Sequence, residues 1–192
     1  MDGSLVPMLL ALLSGIAIAA ACGLRAFLPL LGLGLAARLG FLTLKPGTEW
    51  MAGDPALWAL GIATALEIAS DKVPLVDHAL DATGTLLRPA AAWLGAFAML
   101  QGWGSPWAQI AALVLGAGAL AVHGAKAKVR LNSTAFTAGH ANPLLSVLED
   151  SGALALVAAA VLAPLVALAL VIVVVLVVRR WRRRKTPVIL AG

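Results

Sequence analysis

The chain has no tyrosine and a single cysteine, Cys22. One cysteine excludes an intrachain disulfide, so no covalent staple can hold the fold. Charge is also scarce. Only 12% of the residues are charged, about half the roughly 25% of an ordinary soluble domain. Two hydrolase signatures are missing as well, the H-E-x-x-H helix and the G-x-S-x-G elbow. No enzymatic activity and no cofactor are expected. Apolar residues make up 61% of the sequence, with a mean hydropathy of +0.97. The 192 residues suffice for one compact membrane domain.

The net charge of +5 comes from one place. Arg179, Arg180, Arg182, Arg183, Arg184 and Lys185 follow directly on an apolar run, and without them the body is near neutral. Such a cluster anchors a membrane helix on the cytoplasmic side. Nucleic-acid binding is not expected. The division is a transmembrane domain over 1–178 and a basic cytoplasmic tail over 179–192. Tryptophans near the ends of apolar runs, such as Trp103 and Trp107, fit an interfacial belt.

Apolar runs fall at about 5–23, 26–42, 56–70, 86–102, 107–124 and 152–178. About 20 apolar residues cross a bilayer as a helix. Cys22 after Ala19-Ala20-Ala21 has the look of a lipoprotein cleavage site, but the basic n-region is missing. The first run is therefore read as a membrane helix. Residues 5–42 as one helix would measure about 57 Å against a hydrocarbon core of about 30 Å. The chain must break, and Gly23 and Pro29 mark the place, with Arg25 between them. Pro164 in the last run predicts a kink, not a reversal.

Two polar segments, 70–89 and 125–151, separate runs. Each holds a proline placed to open a helix, Pro74 and Pro143, and Asn142 suits an N-cap. Each is expected to carry a short helix packed against the bundle or dipping into it. A shift of 55 residues places Gly61 on Gly116, Asp77 on Asn132 and Gly84 on Gly139, a weak hint of duplication. A cytoplasmic C-terminus and six spans put the N-terminus on the same side. Lys126, Lys128 and Arg130 then fall on the far side, against the positive-inside tendency. Either the count is off by one or these residues point into a vestibule.

The candidate chemistry lies in the polar segments. An Asp at the centre of a membrane helix costs about 2.5–3.5 kcal/mol, so such residues face a cavity, a partner or water. On a helix opened by Pro74, Asp77, Asp81, Gly84 and Arg88 share one stripe, flanked by Thr85. Two carboxylates one turn apart invite a shared proton, a cation or a nearby arginine. Glu67 ends the preceding run and can reach the same space. Arg25 is costly in lipid and must snorkel or pair, with Glu67, Asp77 or Asp81 as expected partners. Arg130, Asn142 and Glu149 would line an opposite wall. The same residues can serve as ordinary surface charges and loop caps. Asp77-His78-x-x-Asp81 is a weak metal pattern, and no metal is expected.

Several stretches together carry a resemblance. They are Ala21-Cys22-Gly23-Leu24-Arg25-Ala26-Phe27-Leu28-Pro29-Leu30, then Leu66-Glu67-Ile68, Pro74-Leu75-Val76-Asp77 and Leu80-Asp81, then Arg130 to Thr134, Gly139 to Pro143 and Leu148-Glu149. With them the sequence resembles the bacterial membrane-protein family named domain of unknown function 4126. The resemblance implies an all-helical membrane fold and no known activity. It places Arg25, Glu67, Asp77, Asp81, Asn142 and Glu149 in the shared pattern, with His78 at a variable position.

The sequence thus points to an all-α, polytopic integral membrane bundle. It would have about six transmembrane helices and two polar, partly re-entrant connecting segments, in a bacterial inner membrane. The leading function is a small transporter or channel for a cation, proton or small polar solute. Asp77 and Asp81 would bind the ion, Glu67 would assist, and Arg25 would be the counter-charge. The alternative is a structural or assembly protein without transport. The expected partners are the lipid bilayer and a small ion or polar solute. A homo-oligomer is left open.

Overall fold

The computed structural model describes residues 5–70, 74–138 and 140–184, with the side chains of 74–82, 164–175, 177–179 and 181–184 excepted. The described chain is all helical. Six helices run in order: α1 (Leu5–Leu24), α2 (Leu28–Arg38), α3 (Asp54–Ser70), α4 (Pro74–Met99), α5 (Ser105–Thr137) and α6 (Asn142–Arg184). A short 3₁₀ turn, Glu49–Ala52, precedes α3. Each apolar run of the sequence lies on its own helix. Among the described residues, three helical stretches are long and apolar enough to cross a membrane: α1, α5 and the Asn142–Ala163 part of α6. The eleven residues of α2 rise only about 16 Å, half of a hydrocarbon core.

The chain breaks where Gly23 and Pro29 predict. α1 stops at Leu24, and Pro29 sits in the first turn of α2, where its missing N–H costs nothing. The two polar segments are not separate pieces. Pro74 opens α4, which then runs through Pro89 to Met99. α6 starts at Asn142, runs through Pro164 and continues past the expected tail boundary to Arg184. The stretch from Pro74 to Pro89 is thus the opening of α4, and 125–151 is the end of α5, a turn and the start of α6. The suggested 55-residue repeat does not extend to the helix boundaries. α3 ends at Ser70, whereas its counterpart Ala125 lies well inside α5.

Helix α1 packs against α4, α5 and α6, and α4 packs along α5. Small residues make this possible. The buried face of α5 reads Ala108, Ala112, Gly116, Ala119, His123, Lys126 and Arg130. The steps of three and four keep it on one side of a helix. Its first half carries Ala and Gly, so backbones come close. A Cβ on Gly116 would lie 2.8 Å from the Pro89 carbonyl oxygen. Ser14 secures the crossing of α1 and α6 by donating to the Ala160 carbonyl (2.8 Å).

The outer surface is apolar. Trp58, Trp107, Leu113 and Val114 are all exposed, as lipid-facing residues are. Among the described residues, the largest fully buried side chain belongs to Arg25. Charge inside and large apolar groups outside reverse the order of a water-soluble domain.

The two ends of the bundle differ. At one end, Lys45 donates to the carbonyls of Leu100 (3.1 Å) and Trp103 (2.7 Å) just past α4. An ammonium there complements the negative end of the helix dipole. Trp103 donates from its indole to the Met8 carbonyl (3.2 Å) and fixes the start of α1 at this end. The opposite end gathers the α1–α2 break, the ends of α3 and α5 and the start of α6.

Candidate functional site

The break between α1 and α2 leaves backbone groups without helical partners. Carbonyls at the end of α1 and amides at the start of α2 need others. Ionisable side chains, one buried and one partly buried, supply them. Lys126 of α5 donates to the Leu24 carbonyl at 3.1 Å. Glu67 of α3 accepts from the amides of Ala26 (2.8 Å) and Phe27 (3.2 Å). A cation thus meets the negative end of one helix, and an anion meets the positive end of the next.

Arg25, between these two ends, turns its side chain toward α6. Its Nη2 donates to Ser146 Oγ at 2.8 Å. Its Nε lies 2.6 Å from Asp150 Oδ1, and Nη2 lies 3.9 Å from Glu149 Oε2. Glu149 is the hub. It takes a two-pronged contact from Arg130, with Nε to Oε1 at 2.9 Å and Nη2 to Oε2 at 2.8 Å. Lys126 adds a third contact to Oε2 at 2.9 Å. The Lys126 side chain is 2% exposed and that of Glu149 10%. Nearby, Arg88 of α4 contacts the His123 ring in the interior. Gly84, one turn earlier on α4, leaves the room that the Arg88 guanidinium fills, since a Cβ there would lie 3.3 Å from Cζ.

The structure therefore brings Arg25, Arg130 and Glu149 into one buried layer. Glu67 lies beside it, bonded to the backbone just after Arg25. The sequence offered Glu67, Asp77 and Asp81 as partners for Arg25. Among the described residues its side chain meets Ser146, Glu149 and Asp150. The side chains of Asp77 and Asp81 lie outside the described residues, although both sit on α4 as the stripe requires. Asn142 sits apart at the α5–α6 turn, where its Nδ2 donates to Thr134 Oγ1 at 3.1 Å. As an N-cap it differs from expectation. Its carboxamide oxygen accepts no hydrogen bond among the described residues, because the Ala141 carbonyl already receives the first helical N–H, that of Leu145.

Sequence reading left Lys126 either on the far side of the membrane or in a vestibule and gave it no role. One signal was available. His123, Lys126 and Arg130 continue the small-residue stripe of α5 at steps of three and four, so they had to share its buried face. A cavity of about 350 Å³ between α4 and α5 is lined by Pro89, Ala90, Trp93, Leu113, Gly116, Ala117 and Leu120. With no polar side chain in that lining, it suits no ion.

Residues 12–184 match the family model described as Domain of unknown function (DUF4126). The chain belongs to that family. The expectation drawn from the Arg25, Glu67, Asp77 and Glu149 stretches is thereby met as to family. Comparison with curated proteins gives no significant match, and comparison with solved structures gives none either. The family description carries no activity, and the apolar helices fit a membrane protein.

The Glu67 bonds give a direct test. Glu67→Ala leaves two amides at the head of α2 without their acceptor. It is expected to lower stability by about 1–3 kcal/mol, the cost of stranding buried donors. Glu67→Gln keeps one acceptor oxygen and should lose less. Thermal unfolding in detergent measures both, and an unchanged midpoint in Glu67→Ala would remove Glu67 from the account of the break.

Proposed function

We propose that this protein is a small transporter or channel for a cation, proton or small polar solute, and that its path passes the buried charge at the α1–α2 break. One observation carries the reading. A helical run is interrupted beside the layer of Arg25, Arg130 and Glu149, and ionisable side chains occupy both of its free ends. Buried ion pairs are a costly way to hold helices together, and apolar replacements often do better. Ionisable groups at membrane depth therefore mark ion and solute paths, and interrupted helices border such sites in transporters. Asp77 and Asp81 are the ion-binding candidates on this path, with Arg25 as the fixed counter-charge.

No enzymatic activity is part of the reading. The basic end of α6 supports a cytoplasmic C-terminus in a bacterial inner membrane. The burial of Lys126 and Arg130 supports that topology, because charges paired inside the bundle do not count as loop charges.

A second reading, a structural protein without transport, is favoured by the Arg130–Glu149 fork that bridges α5 and α6. Flux assays in liposomes with a panel of ions and small solutes separate the two. An ion-binding Asp81 requires that Asp81→Asn abolish flux while keeping the wild-type thermal midpoint. Full flux in Asp81→Asn removes Asp81 from the path, and no flux of any solute by the wild type overturns transport.

A further inference from the structure

We infer that the Leu24 carbonyl and the Glu149 carboxylate form a seat for an ammonium-sized monovalent cation, which Lys126 fills from within. This rests on the transport reading and deepens it by naming the class of ion. The C-terminal end of an interrupted helix, with its unshared carbonyls, is where such folds coordinate cations. Here α1 ends at Leu24, and its carbonyl faces a carboxylate across Lys126 Nζ. The nitrogen lies 3.1 Å from one oxygen and 2.9 Å from the other. Those distances suit an ammonium ion. They are too long for Mg²⁺, which needs about 2.0–2.1 Å, or for Ca²⁺ at about 2.3–2.6 Å.

The tether is what makes exchange feasible. Lys126 reaches the seat on a four-carbon stem with a compact charged head, so it can withdraw without moving α5. Glu149 keeps its fork from Arg130 when the ammonium leaves, so the carboxylate stays in place to receive a free cation. The carbonyl is fixed by the end of α1. A small cation entering the seat and the Lys126 head are then alternatives for the same two oxygens. The cargo is a small monovalent cation of ammonium size, and Lys126 closes the seat when it is empty.

The test uses the full chain. Lys126→Ala removes the tethered cation and leaves the seat open. Its thermal midpoint in detergent should fall below that of the wild type. Methylammonium chloride should then raise it by about 5 °C over choline chloride at equal ionic strength. Choline is too large for the seat. Lys126→Met fills the space with an uncharged chain and should not respond. If Lys126→Ala does not survive extraction in choline, extraction in methylammonium should restore a monodisperse protein. Equal behaviour of Lys126→Ala in the two salts overturns the seat. Methylammonium uptake into liposomes by the wild type tests the transport reading separately. Recovery without uptake leaves the seat and removes transport. Uptake without recovery does the reverse.

Discussion

Glu149→Gln is expected to lower the stability of the protein by about 3–5 kcal/mol, the range found when one partner of a buried ion pair is removed. The carboxylate serves Lys126 and both prongs of Arg130, with Arg25 close by. A neutral carboxamide leaves the cations inside with less to balance them. It also replaces an acceptor oxygen by an amino group that cannot accept from Arg130. For a chain of this length each kcal/mol moves the thermal midpoint by about 2–4 °C, so the fall should be about 6–20 °C. Replacing Glu149, Lys126 and Arg130 together by apolar residues of similar volume should recover much of that loss, because no charge is then stranded. A Glu149→Gln midpoint within about 2 °C of the wild type would show that the layer does not hold α1, α5 and α6 together.

The second large effect is expected at Gly23. A Cβ there would lie 2.6 Å from Val122 Cβ and 2.8 Å from the Ala119 carbonyl oxygen. Neither can rotate away, since one is the root of a side chain and the other is backbone. Gly23→Ala must push α1 from α5 at the level of the Leu24–Lys126 bond. The expected loss is about 1–3 kcal/mol, the usual cost of overpacking. Gly61 is the control. It lies on α3 with nothing within 4 Å of a Cβ, so Gly61→Ala should be neutral or stabilise by up to about 1 kcal/mol through helix propensity. Thermal unfolding of the two variants in one detergent decides. Equal midpoints would mean that α1 and α5 are not packed as closely as this.

Much of the arrangement was legible from local pattern. The need for a break followed from length, because residues 5–42 as one helix overrun a bilayer, and Gly23 and Pro29 placed it at Arg25. Pro74 and Pro143 announced where α4 and α6 begin. The extent of those helices was less legible. A polar stretch between apolar runs reads as a connector, yet most of 125–151 is helix, the end of α5 and the start of α6, with the inward faces paired across the turn. Arg130 and Glu149 show how. Each is polar in sequence, and each satisfies the other across 19 positions.

The choice of partners was not legible at all. Ser146 lies 121 residues from Arg25, and Leu24 lies 102 from Lys126. Only the packing of α1 between α5 and α6 puts them in reach. Hydropathy, helix length and proline placement by themselves determined that this is an apolar, six-helix chain interrupted at Arg25, because those properties act along the chain over a few turns. The tertiary structure alone decided that Lys126 and Glu67 cap the interrupted helix and that Glu149 gathers the cations. The reason is physical. An ion pair depends on the separation of two atoms over a few ångströms, and no spacing along a helix fixes a distance between helices.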